Sequence, residues 1–333
     1  MTLHDSRPIE IAERLVGAPI DALDPVGGGR NSRVYHVRSA RGAFALKQYP
    51  SRDEDPRDRL GAEWRALDLM ARHGIDNVPR ALAADAGQGF VLLSWLEGAA
   101  PGPIGVADID QAARFLAQIH AVRGDPAAAG IGPASEACLS GPEIRRQIGQ
   151  RLDRLLAVPS GEDRLHRFLI GPFAALNERL FAQAANDDFD AVLPVDRRCL
   201  VPSDFGFHNS LRRADGTLVF FDFEYFGWDD PVKLTADIML HPGTTLTPGL
   251  VQRFRRAAET LYGEDPGFRA RLAAFLPLFG LRWVLILLNE FLPDRWQRRV
   301  AAGAVEDWET AKQRQLARAR SLLAQLGETQ GGS

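Results

Sequence analysis

The chain is poor in cysteine. Cys138 and Cys199 are isolated from each other, and neither stands in a zinc-ligand spacing. That excludes a disulfide framework and a structural zinc site, and it suits a reducing compartment, here expected to be the cytoplasm. Lysine is scarce as well: Lys47, Lys233 and Lys312 stand against 37 arginines. There is no long basic run and the formal net charge is −3, so a generic nucleic-acid binder is not expected. The start, "MTLHDSRPIEIAERL", lacks the apolar core of a signal peptide. One stretch, "FLPLFGLRWVLILLNEFL", is strongly apolar. It is interrupted by Pro277 and carries Arg282 and Glu290, so a buried helix is expected and no membrane partner. No internal repeat is present.

What the chain does have is enough apolar residues, 45% of 333, for a large core and two lobes. Residues 9–16 suggest a short helix. A turn at Gly27, Gly28 and Gly29 precedes two strand-like runs, "SRVYHVR" and "GAFALKQY", which read as an antiparallel meander with Lys47 in its third strand. "DPRDRLGAEWRALDLMARHGI" reads as an amphipathic helix with Leu60, Trp64, Leu67 and Met70 or Ala71 on one stripe and Glu63 beside it. Two more strands end at Ser94, Trp95 and Leu96. From there the pattern turns helical: 108–121, then roughly 142–156, 162–184, 231–241, 247–262, 267–291 and 303–325. The expected organisation is α+β, with a small antiparallel β-sheet lobe plus one helix over 1–97. A large mainly helical lobe follows over 98–325, and a flexible tail over 326–333. A cleft between such lobes is a common ligand site.

A hairpin interrupts the helical part. In "VPSDFGFHNSLRRADGTLVFFDFEYFGWDD", Asp215-Gly216 suits a two-residue type I′ turn. That turn would set Asn209 opposite Asp222. An amide oxygen facing a carboxylate, with Asp204 just upstream, suits a hard cation such as Mg²⁺. A solvated hairpin end with incidental acids has the same local sequence. Likewise "GGGRNS" can cradle phosphate with backbone N–H groups or serve as a plain turn. Lys47 can reach phosphates, held by Glu63, or extend from an edge strand into water. Taken together these pieces match the needs of phosphoryl transfer: triphosphate positioning, metal neutralisation and a base at Asp204 to orient a hydroxyl.

The set "GGGRNS", Lys47, Glu63, "SDFGFHN" and "DFE" resembles the aminoglycoside phosphotransferase and choline kinase-like family, over about residues 20–325. The resemblance implies a bilobal protein-kinase-like fold whose large lobe carries a catalytic hairpin. It implies an ATP- and Mg²⁺-dependent kinase that phosphorylates a hydroxyl of a sugar, polyol, amino alcohol or aminoglycoside-like acceptor. Asp204 would be the catalytic base. Gly27, Gly28, Gly29, Asn31, Ser32, Lys47 and Glu63 would bind nucleotide phosphates, and Ser94, Trp95 and Leu96 the adenine. Asn209, Asp222 and Glu224 would hold metal. The family's His-Gly before the catalytic Asp is replaced here by Pro202 and Ser203. His208, Arg282, Asn289 and Glu290 are candidate acceptor contacts, with Phe205, Phe207, Tyr225 and Trp228 as aromatic walls. Residues from 98 onward are only slightly acidic in balance, which favours a neutral or mildly charged metabolite over a polycation. Two other readings are a catalytically weak nucleotide-binding regulator and a metal-dependent phosphoesterase. A monomer or homodimer is expected.

Overall fold

The computed structural model describes residues 7–27, 32–53, 55–159, 161–185, 189–244, 246–301 and 306–328, the side chains at 298 and 301 excepted. The chain divides into two compact units, Met1–Ser135 with Leu200–Trp228, and Glu136–Cys199 with Asp229–Ser333.

The first unit begins with α1 (Arg7–Val16) and β1 (Ile20–Val26), followed by β2 (Arg33–Ser39) and β3 (Gly42–Gln48). Next come α2 (Arg59–Arg72), β4 (Ala81–Asp85) and β5 (Phe90–Ser94). The strands form one antiparallel sheet in the order β1-β2-β3-β5-β4. Ile11, Ala12 and Val16 of α1 pack on Val37, Leu46, Phe90 and Leu92, closing one face of that sheet. Side chains alternate along a strand. With Leu46 committed to that apolar face, its neighbour Lys47 emerges on the other, where it meets Glu63 of α2.

α2 starts at Asp58, whose carboxylate accepts from the Gly61 N–H at 3.2 Å. Its buried face is Arg59, Glu63, Ala66, Leu67, Leu69 and Met70. The expected stripe through Leu60 and Trp64 is thus displaced, both being only half-buried. The ion pairs of Arg59 and Glu63 rotate the helix toward the charged residues.

α3 (Val106–Ala121) and the hairpin strands β6 (Ser210–Arg212) and β7 (Leu218–Phe220) belong to the same unit. Gln111 of α3 receives the Leu218 N–H at 2.8 Å and donates to the Gly216 carbonyl at 3.1 Å. Phe115 of α3 stacks on Phe205 and Phe220, with ring centroids 5.5 and 4.6 Å away. Burying each ring stabilises the unit by roughly 1.5–3 kcal/mol.

The hairpin register differs from the expected one. Ser210 pairs with Phe220 and Arg212 with Leu218, so Asn209 falls opposite Phe221, whose N–H it accepts at 3.1 Å. A type I′ turn needs positive φ at both central residues. Here Gly216 has φ 86° and Asp215 is not in the positive-φ region. The Asp215 carboxylate instead takes the Thr217 N–H at 2.9 Å, and the Gly216 N–H reaches the Arg213 carbonyl at 3.0 Å. The loop has three residues, ending on a left-handed glycine, and the register moves by one.

The second unit is helical. It holds α4 (Gly141–Leu156), α5 (Asp163–Phe168) and α6 (Ala174–Ala184), then α7 (Pro231–Leu240) and α8 (Pro248–Leu261). α9 (Phe268–Leu287), α10 (Pro293–Ala301) and α11 (Trp308–Glu328) complete it. The helix expected over 162–184 is divided by a π-helical turn, Leu169–Phe173, containing Pro172. α9 runs through Pro277 without a break and packs against α4, α7 and α11. It is the one helix among the described residues long and apolar enough to cross a membrane. Two-thirds of its apolar window is buried inside the unit, 67%, as in a core helix. Gly280 lets α11 close on it, since a Cβ there would lie 2.5 Å from Leu326 Cδ2. α10 was not expected; its sequence is short and mostly polar, and only Pro293 at its first turn signals it.

Candidate active site

Lys47 lies at the centre of a buried charge cluster within the first unit. Its Nζ donates to Glu63 Oε2 at 2.7 Å and to Asp222 Oδ1 at 2.6 Å, and stands 3.3 Å from Glu224 Oε2. The ammonium, Glu63 and Glu224 are almost wholly buried, whereas the Asp222 side chain is 32% exposed. Buried charges need such partners. Desolvation works to lower the Lys47 pKa, but Asp222 and Glu63 together hold it well above the ordinary lysine value. The Asp222 carboxyl is pushed up to about 6, loss of water outweighing the attraction of Lys47. Glu224 is also desolvated, yet Lys47, Ser32 and Arg59 keep it below the usual carboxylate range.

Secondary contacts brace the cluster. Glu63 also accepts from the Tyr49 hydroxyl and, through Oε1, from the Phe223 N–H at 3.2 Å. It therefore holds both the lysine and the backbone next to Asp222. Glu224 accepts from Arg59 Nη1 at 2.7 Å and from Ser32 Oγ at 2.5 Å. Arg59 also pairs with Asp55. Sequence reading missed Arg59, although its place one helical turn before Glu63 put it on the same face of α2.

Asp204 is half-exposed. Its backbone carbonyl accepts from Asn209 Nδ2 at 2.9 Å, and its Oδ1 lies 3.3 Å from His208 Nε2. Phe205 and Phe207, on either side of Gly206, are buried, which anchors the loop and leaves Asp204 and His208 outward. Those two rings are therefore core residues and offer no aromatic wall. The guanidinium groups of Arg57 and Arg59 each lie 5.1 Å from the Tyr225 ring, and both also meet Asp55. Trp228 donates to the Ala128 carbonyl at 3.1 Å.

Two non-glycine residues in this loop-and-hairpin region have left-handed backbone, Ser203 at φ 66° and Asp222 at φ 71°. Such a conformation costs an L-residue about 1–2 kcal/mol. The Ser203 hydroxyl donates to the Ser135 carbonyl at 3.3 Å. Ser203→Gly is expected to fold at least as stably as the natural chain, and Ser203→Val to lose about 1–2 kcal/mol by urea denaturation. Equal stability of the two variants would show that the backbone here is unstrained.

Of the other expected residues, Gly27 is exposed, and Gly28, Gly29 and Asn31 lie outside the described residues. Ser94 closes β5, exchanging hydrogen bonds with the Arg80 backbone, and Trp95 stacks on His36 with centroids 3.8 Å apart. Leu96 is half-buried. In the second unit Arg282 is held by Glu136 at 2.6 Å and Asp237 at 3.3 Å through its two terminal nitrogens, while its buried Nε has no partner among the described residues. Glu290 pairs with Arg299, and its carbonyl receives the Trp308 indole N–H at 2.7 Å. Asn289 lies in a 3₁₀ turn beyond the end of α9, so it does not continue the Arg282 helix face.

The donor set fits a divalent cation. One carboxylate oxygen each from Glu63, Asp222 and Glu224 lie within 4.8 Å of one another. These are hard oxygen ligands of the kind Mg²⁺ takes. Asp222 is the most accessible of the three. Glu63 and Glu224 already have both oxygens engaged, so either reaches an ion only by exchanging a present partner.

Residues 22–272 match the phosphotransferase enzyme family, and the chain belongs to that family. No curated protein sequence matches it. Among solved structures it is similar to the macrolide 2′-phosphotransferase MphH from Brachybacterium faecium, at 18% identity and a TM-score of 0.59, covering 91% of this chain and 99% of that one. It is similar to the choline kinase LicA from Streptococcus pneumoniae, at 17% identity and a TM-score of 0.57, covering 95% and 98%. It is also similar to the spectinomycin phosphotransferase APH(9)-Ia, solved with ADP and spectinomycin, at 14% identity and a TM-score of 0.62, covering 97% and 99%. The fold is that of the aminoglycoside phosphotransferases and choline kinases, protein-kinase-like, and the family is one of phosphotransferases.

Proposed function

We propose that the protein is an ATP- and Mg²⁺-dependent kinase that transfers the γ-phosphoryl group to a hydroxyl of a small metabolite, a sugar, polyol or amino alcohol. The observation that carries this is Lys47, a rare lysine held by Glu63 of α2 and reaching Asp222 beyond the hairpin. Lys47 offers positive charge to the phosphates of ATP, and Glu63 keeps the ammonium aimed. Ser32, tied to Glu224, borders the triphosphate. The backbone of Ser94 to Leu96 meets the adenine edge. Asn209, Asp222 and Glu224 are the oxygen donors for Mg²⁺, which when bound neutralises phosphate charge. Asn209, whose amide N–H₂ is fixed by the Asp204 carbonyl, has its side-chain oxygen left to face the cation.

Asp204 accepts a hydrogen bond from the acceptor hydroxyl and takes its proton as the oxygen bonds to phosphorus. His208, within reach of the Asp204 carboxylate, orients that carboxylate or touches the acceptor. Arg282 and Glu290 already carry ion pairs, with Glu136 and Asp237 and with Arg299. The natures of the structural relatives' substrates, a macrolide, choline and spectinomycin, support a hydroxyl-bearing small molecule without choosing among them.

A panel of sugars, polyols and amino alcohols incubated with ATP and Mg²⁺ and read by mass spectrometry is expected to yield one phosphorylated class. Phosphorylation at the same rate by the Asp204→Asn variant would refute the assignment of the base. ATP consumption unaltered by removal of Mg²⁺ would refute the metal dependence.

A further inference from the structure

The second unit contains a cavity of about 710 Å³ formed by α5, the π-helical turn, α6 and α11. Its volume falls in the range of small-molecule sites. The floor is apolar, with Phe168, Leu176 and Leu323 each less than a tenth exposed. The rim is Arg164, Arg167, Arg179 and Arg320, and no acidic residue lines it. All four arginines are exposed, and together they make a positive rim. Among the described residues Arg179 and Arg320 have neither a hydrogen bond nor an ion pair. Arg167 donates from Nε only to the Asp163 backbone carbonyl, at 3.3 Å. Arg164 acts electrostatically on Glu309, which does not line the cavity.

A second feature coincides with this one. The widened turn Leu169–Phe173 interrupts the α5–α6 run at the cavity, and Pro172 of that turn is part of its wall. π-helical turns carry a local energetic cost and recur at functional sites. Four like charges held around an apolar floor repel one another, and an anion placed among them relieves that repulsion. A purely inorganic anion would leave the exposed apolar wall of Pro172, Ala175 and Ala324 uncovered, and a neutral hydrocarbon would leave the guanidinium groups without a counter-charge.

We propose that this cavity binds an amphipathic monoanion, a medium-length acyl or aryl chain against Pro172, Ala175 and Ala324 with its acidic head among the four arginines. The site draws on none of the residues assigned to phosphoryl transfer, so it stands whether or not that assignment does. Its rim chemistry is the charge-assisted guanidinium–anion hydrogen bond, which favours planar carboxylate and sulfonate heads.

The test uses the full chain with 8-anilinonaphthalene-1-sulfonate as fluorescent probe and dodecanoate as competitor. Saturable binding at one probe per chain is expected, displaced by dodecanoate and not by dodecanol or dodecylamine. The double variant Arg179→Glu/Arg320→Glu is expected to weaken the probe at least tenfold. Ala324→Glu places a carboxylate on the exposed wall and is expected to weaken it similarly. All three positions are exposed, so the fold tolerates the changes. Non-saturable fluorescence, displacement by dodecanol as well as by dodecanoate, or unchanged affinity in both variants would overturn the proposal.

Discussion

Asp204→Asn is expected to lower kcat by about 10²–10⁴-fold while leaving ATP affinity and folding stability close to those of the natural chain. The substitution keeps the shape of the side chain and removes only its capacity to accept a proton. The carboxylate is 41% exposed, with His208 Nε2 3.3 Å away, and at that exposure water screens much of its charge. The loop position is set by other groups, the buried rings of Phe205 and Phe207 and the Asn209 amide on the Asp204 carbonyl. Steady-state kinetics with nucleotide binding measured separately checks this. A fall in nucleotide affinity as large as the fall in kcat would show that Asp204 acts on binding and not as a base.

Lys47→Met should be costly in a different way. It removes the cation that Glu63, Asp222 and Glu224 share, and two of those carboxylates are 1% exposed at the side chain. Breaking a buried ion pair from one side costs about 3–5 kcal/mol, because the remaining charge keeps its desolvation penalty. Arg59 still neutralises Glu224, so most of the loss falls on Glu63 and Asp222. Phosphoryl transfer should fail together with stability. Urea denaturation of Lys47→Met and of Lys47→Met/Glu63→Gln separates the causes: the double variant should regain part of the lost stability and none of the activity. Mg²⁺ should raise the melting temperature of Lys47→Met more than that of the natural chain, since the carboxylate oxygens stand within 4.8 Å of each other. A Lys47→Met chain as stable as the natural one would show that the cluster is not charged as drawn.

Much of the site was legible before folding was considered. The scarcity of lysine singled out Lys47, and all three lysines are in fact buried beside carboxylates: Lys47, Lys233 and Lys312. Lys233 was readable too, because Asp229 and Asp237 stand four residues to either side of it in sequence. The opposite holds for Arg282, which looked like a candidate acceptor contact inside an apolar helix. Its partners Glu136 and Asp237 come from distant segments, and no periodicity announces them. The hairpin register turned on a single φ angle. Asp-Gly is compatible with both a two-residue and a three-residue loop, and the Asp215 carboxylate's bond to Thr217 chose the latter.

By itself the sequence determined the family and most of the order of elements, α10 and the division of α5 from α6 excepted. These follow from local periodicity, turn chemistry and motif spacing, all properties of neighbours along the chain. Only the tertiary structure decided that Lys47 is shared by three carboxylates, that Glu224 is held by Arg59 and Ser32, and that four arginines ring an apolar cavity. The reason is that a charge in a folded interior is governed by whatever is brought within a few ångströms of it. Residues 32, 47, 59, 63, 222 and 224 become neighbours through the packing of α2 on the sheet and the return of the hairpin, and through nothing encoded in their separation.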